Sequence, residues 1–222
     1  MFEALLKSFP MAIGLALSPL PMIAIVMLLM TPQAKRKSPF FFVGWIFGIL
    51  GIGTLIILLP GIVSYNGVLI NTPNSVKVIL GIIVLIAIYP IWKKRPKPGA
   101  PIKIPKLFIR IDKFGVKRSF FLGLMLSGVN IKNVILTSSG AAQIRGCCLG
   151  NYSEMFLVLI IFSMIGSLSI IIPISIYFLS TEKMDLLFLN LRNWLIGNNS
   201  NIIIVILIAF GSLLIYNGLI PK

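Results

Sequence analysis

Residues 9–30 read FPMAIGLALSPLPMIAIVMLLM, 22 residues without a charge, and this run decides the fold. About 20 consecutive apolar residues cross a hydrocarbon core as a helix, so the stretch predicts a transmembrane span. Working outward, Phe40–Pro60 is a second uncharged run of 21 residues. Ser75–Trp92 gives 18 residues with Lys77 near one end, where the lysine stem can lie along lipid and its ammonium reach the headgroups. Ser119–Ala142 gives 24 residues with one interior charge, Met155–Leu179 gives 25, and Ile202–Ile220 gives 19. The expectation is an all-α polytopic membrane protein of six transmembrane helices.

Composition agrees. The 222 residues are 58% hydrophobic with a mean hydropathy of +1.03, well above the roughly 45–50% apolar share of soluble domains, and no polar stretch is long enough to fold alone. A cleaved signal peptide is not expected. The first apolar run exceeds the 7–15 residues of a signal core, Glu3 offsets Lys7, and no small-x-small cleavage site follows.

The formal charge of +15 comes from 20 basic and 5 acidic residues, distributed by side of the membrane. Lys35, Arg36 and Lys37 follow the first span, ten cations lie between Lys93 and Arg118, and Lys183 and Arg192 separate the fifth and sixth spans. The positive-inside rule then places both termini outside the cytoplasm, in a cytoplasmic membrane. No nucleic-acid reader motif accompanies the cations, so nucleic acid is not an expected partner. Within 93–118, Lys103, Lys106, Arg110, Lys113 and Lys117 recur at helical spacing opposite Leu107, Phe108, Ile111 and Phe114. That pattern predicts an amphipathic helix on the inner leaflet, its cations touching lipid headgroups.

The chain divides into residues 1–92, the basic loop 93–118, and residues 119–222. Gly14-Leu15-Ala16-Leu17-Ser18 recurs as Gly123-Leu124-Met125-Leu126-Ser127, Gly53 and Pro60 match Gly166 and Pro173, and Ile88-Tyr89 resembles Ile215-Tyr216. Two halves of three spans each must enter the membrane in opposite orientations, the inverted repeat of many secondary transporters.

Chemistry concentrates at two places. Ser18-Pro19-Leu20-Pro21 lies partway across the first span, where proline removes a backbone donor and clashes with the preceding turn, so the helix should kink or break. Freed carbonyls at that depth must face protein or a water-lined cavity. The matching region of the fourth span reads Ser127-Gly128-Val129-Asn130-Ile131-Lys132-Asn133, followed by Thr137, Ser138, Ser139 and Gln143. An ionisable residue at membrane depth faces the interior and finds partners. For Lys132 three readings stay open: a structural role on carbonyls and asparagines, a group binding an anionic substrate, or a titrating group. The candidate substrate-binding set is therefore Ser18, Pro19, Pro21, Ser127, Asn130, Lys132 and Asn133.

Gly44, Gly48, Gly51 and Gly53 predict close helix packing. The adjacent Cys147-Cys148 match neither a redox CxxC pair nor a zinc pattern, and no nucleotide, hydrolytic or metal motif appears. No catalytic residue, metal or cofactor is expected, and the protein is not expected to be an enzyme. Partners are membrane lipids and an anionic lipid or small-molecule cargo, and the reading also admits a homo-oligomer.

The run Gly-Leu-Ala-Leu-Ser-Pro-Leu-Pro, the Pro-x-Ala-basic-basic loop at Pro32–Lys37 and Phe42-Val43-Gly44-Trp45 together resemble the GAP family. These are glycopeptidolipid- and sulfolipid-addressing membrane proteins of the LysE exporter superfamily. Asn130-Ile131-Lys132 is similar to the Asn-Pro-Lys of related fourth spans, with isoleucine in the proline position. That departure predicts loss of the second helix break. The resemblance implies export, or assistance in export, of an envelope glycolipid. A LysE-like exporter of amino acids or ions and a non-transporting accessory subunit of a lipid export complex are the alternatives. A membrane thiol-transfer enzyme would need a cysteine within the membrane in each half, which this chain lacks.

Overall fold

The computed structural model describes residues 1–59, 74–93, 95, 111, 114–148, 150–179 and 185–219. Among them ten α-helices follow one another: α1 (Phe2–Ala16), α2 (Pro19–Leu29), α3 (Ala34–Leu58), α4 (Asn74–Ile86), α5 (Ile88–Lys93), α6 (Val116–Gly128), α7 (Ile131–Cys147), α8 (Tyr152–Gly166), α9 (Leu168–Leu179) and α10 (Asp185–Leu219). The protein is an all-α membrane protein. By length and composition α3 and Leu186–Ala209 of α10 can each cross a bilayer alone, and three bent helix pairs bring the candidate spans to as many as five. Gly81–Lys93 is a shorter apolar stretch. Large apolar side chains such as Phe47, Leu55, Phe121, Met125, Ile160 and Val205 point outward, as lipid-facing surface does and a water-facing surface of this extent does not.

The bent pairs are α1–α2 at 53°, α6–α7 at 66° and α8–α9 at 64°. The first is the break expected at Ser18-Pro19. Pro19 and Pro21 stand in the first turn of α2, where a missing N–H costs nothing because those donors have no helical partner. The second break corrects the expectation that isoleucine in the proline position would remove it. Asn130 acts as N-cap of α7, its side chain accepting from the Lys132 N–H at 3.1 Å, so a capping side chain starts the new helix without a proline. Relative to the shared Gly-Leu-x-Leu-Ser motif this break falls three residues later than the first. The third break bends the chain within the span expected at 155–179. Ser167 sits between α8 and α9, and its hydroxyl donates to the Ser163 carbonyl at 2.6 Å.

Other boundaries shift as well. α1 begins at Phe2, well before residue 9. Lys35, Arg36 and Lys37 belong to the first turn of α3 and not to a loop, with Lys37 buried. Arg192 likewise lies inside α10, which begins far ahead of residue 202. Cys147 is the last residue of α7 and Cys148 its C-cap. The third expected span is interrupted by a turn at Ala87. The amphipathic helix expected at 103–117 lies outside the described residues apart from Ile111 and residues 114–117; Lys117 is exposed in the first turn of α6.

Glycines set the packing. A Cβ at Gly44 would overlap the Phe120 carbonyl, one at Gly123 the Phe41 carbonyl, and one at Gly48 the Ser127 hydroxyl. Gly44 lies against Phe120, Gly48 against Ser127, and farther on Ile56 O accepts from Arg145 of α7, so α3 runs parallel to α6 and nearly in backbone contact with it. Gly53 meets Leu159 of α8, whereas Gly51, expected with the others, faces open space. Gly81 of α4 faces the turn Gly211–Ile215 of α10, and Gly211 faces Gly81 and Leu85. Only antiparallel helices give that reciprocity. α2 is apolar all round, and nine of its eleven residues are buried against α3, α9 and α10, as expected for a helix without a polar face.

Candidate functional site

The second and third breaks meet one turn of α3, and the first joins them through α8. Gly48 abuts Ser127 and Gly128 at the second break, while the fully buried Trp45 donates its indole N–H to Ser167 Oγ at the third break, at 3.1 Å. Gly166, at that same break, packs on Leu15 and the Ala12 carbonyl of α1 beside the first break.

At the first break the chain leaves the α-helical pattern. The Ser18 N–H turns to the Leu15 carbonyl at 3.1 Å, so the Gly14 carbonyl loses the donor that a continuing helix would supply. The Lys132 ammonium takes that place, donating to Gly14 O at 2.9 Å across the α1–α7 interface. Ser18 Oγ donates to Asn133 Oδ1 at 3.0 Å, and both residues are buried. Asn133 Nδ2 donates in turn to the Leu126 carbonyl at 2.8 Å, in the last turn of α6, where no further helical N–H follows. Two consecutive residues of α7 thus satisfy one freed carbonyl at each of two breaks.

Of the expected set, Ser18, Lys132 and Asn133 are brought together. Asn130 contributes as the cap that aims α7. Pro19 and Pro21 are buried in the first turn of α2 and shape the break without offering a polar atom. Ser127 spends its hydroxyl on Gly123 O at 3.0 Å, within its own helix, and faces Gly48 instead of the Ser18–Asn133 pair. The carbonyls of Gly14 and Leu126 were not legible in advance, because backbone acceptors become site groups only where a break frees them. Thr137, one turn beyond Asn133, is fully buried and its hydroxyl has no partner.

α2 and α7 begin at this junction with about half a positive elementary charge at each N-terminus, and α1 and α6 end there with the opposite sign, so the Lys132 ammonium supplies the net positive charge. Glu3 pairs with Lys7, and Glu154 with the Met1 α-amino group, away from this junction. Hydrogen bonding from that amine holds the Glu154 carboxyl below its ordinary range. The arrangement can receive an anion, and among the described residues no cluster of potential metal ligands occurs.

Neither the curated proteins nor the solved structures offer a match to the chain. A family profile described as Sap, sulfolipid-1-addressing protein, matches residues 9–220, which takes in all three breaks and all of the site just described. The chain belongs to the Sap, sulfolipid-1-addressing, family of membrane proteins.

Proposed function

We propose that this protein carries an envelope lipid with an anionic headgroup across the cytoplasmic membrane, or forms the membrane path for its export. The observation that carries the reading is the meeting of two half-helix N-termini with the Lys132 ammonium at the junction of the first two breaks. Half-helix N-termini aimed at an anionic group are a recurrent solution in transporters built from discontinuous helices. One ammonium N–H is held by Gly14, leaving two donors for a phosphate or sulfate oxygen. Membership of a sulfolipid-addressing family supports a lipid as the cargo.

The same reading takes the chain as six spans in two inverted three-helix repeats, 1–92 and 119–222, with both termini outside. Two features support it. Each half breaks its first span at the end of the shared Gly-Leu-x-Leu-Ser motif or just beyond it, and the third and sixth spans cross antiparallel through the reciprocal Gly81–Gly211 contact. Rocking the halves would expose the junction to each side in turn.

Lipid and metabolite profiling of envelope extracts from cells with and without the gene tests this. Loss of one surface lipid, with its precursor retained inside, is expected. Restoration by the wild-type chain should fall at least about tenfold with Lys132→Met, which corresponds to losing about 1.4 kcal/mol of headgroup binding. Unchanged lipids with an altered amino acid or ion pool would replace lipid export with the small-solute reading.

A further inference from the structure

The Gly14 carbonyl sits in the last turn of α1, the negative end of that helix. At the same break Ser18 Oγ meets Asn133 Oδ1, so the junction gathers oxygen atoms at a helix break. In discontinuous-helix transporters unwound carbonyls and half-helix C-termini hold the coupling cation. Here that position is filled by a side chain of the same protein, since the Lys132 ammonium reaches Gly14 O at 2.9 Å from the opposing half. Among the described residues no carboxylate is paired with it, and Glu3 and Glu154 are engaged elsewhere.

We propose that the Lys132 ammonium is a tethered cation standing in for an alkali metal ion at the α1 break, so that no sodium or potassium ion is needed to hold α1 against α7. The inference rests on the reading of the breaks as the moving part of an export site, and it specifies how that site is held closed. Cargo and cation no longer arrive separately. An anionic headgroup that engages the ammonium acts on the contact joining the two halves.

The test is thermal unfolding of the full chain purified in dodecyl maltoside, at constant ionic strength, in sodium, potassium, methylammonium or N-methylglucamine chloride. The wild-type protein should give one Tm in all four salts. Lys132→Ala should open a cation-sized space and unfold about 3 °C or more higher in sodium or methylammonium than in the bulky N-methylglucamine, the shift expected if a site of modest affinity fills. Lys132→Arg keeps a tethered cation and should again be indifferent to salt. A wild-type Tm raised by sodium would overturn the proposal. So would an alanine variant that responds to no cation, or that fails to fold in every salt, because a cation from solution then cannot replace the ammonium. Unchanged lipid profiles on loss of the gene would sink lipid export without moving any of these salt responses.

Discussion

Asn133 serves two partners with one amide, accepting from Ser18 and donating to the Leu126 carbonyl. Replacing it by alanine leaves a buried hydroxyl and a carbonyl unpaired, at a cost of about 1–3 kcal/mol for each buried group left unsatisfied. Hydrogen bonds between membrane helices average only about 0.6 kcal/mol in measured cycles, so the orphaned groups, more than the lost bonds, set the size of the effect. Thr137→Val is the instructive contrast. Its hydroxyl is buried without a partner, and a methyl of the same shape removes an unsatisfied group. The expected outcome is a clearly lowered Tm for Asn133→Ala and an unchanged or raised one for Thr137→Val, read in the same detergent. Equal losses for both would mean that the Ser18–Asn133–Leu126 chain contributes nothing specific.

At the scale of elements, α3 joins the second and third breaks. Its Gly44 and Gly48 let α6 approach to backbone contact, and its Trp45 reaches Ser167. A Cβ at Gly44 would collide with a backbone oxygen of α6, which cannot swing aside as a side chain tip can. Gly44→Ala should therefore cost about 1–3 kcal/mol, the usual range for overpacking. Gly51 lies two turns on with nothing near it, so Gly51→Ala should stabilise by up to about 1 kcal/mol through helix propensity. Urea or thermal titration of the two variants checks both signs. The run of four glycines in α3 was legible as a packing signal, yet the sequence does not say which of them touches a neighbour. That depends on the rotation of α3 against α6 and α8.

For the whole molecule the open quantity is sidedness, and the cysteines report it. Cys147 is half-buried and Cys148 buried at the end of α7, and by the positive-inside argument this end faces outward. A membrane-impermeant maleimide added to intact cells should label the protein, and Cys147→Ser should remove most of the signal. Labelling that appears only after permeabilisation would invert the topology and the direction of transport with it. The α10 helix sets a further constraint at this scale. Its 35 residues extend about 52 Å at 1.5 Å per residue, more than the roughly 30 Å of a hydrocarbon core, so part of it must tilt strongly or project beyond the bilayer.

Hydrophobic run length settled the membrane class, because the bilayer demands continuous apolar helix and water does not. Proline chemistry settled the first break, since Pro19 and Pro21 cannot continue a helix begun before them. An uncompensated lysine amid serine and asparagine marked 127–133 as the polar centre. What remained for the tertiary structure was every feature that depends on a partner distant in the chain. The second break persists without its proline because Asn130 caps α7 while Asn133 satisfies Leu126. The third break, at Ser167, receives the indole of Trp45, a residue 122 positions away. The role of Lys132 turns on the Gly14 carbonyl 118 positions before it. Local propensity records where a helix can stop, but a freed backbone group within a membrane is tolerable only when another segment supplies its hydrogen bond, and only the folded chain shows which segment does.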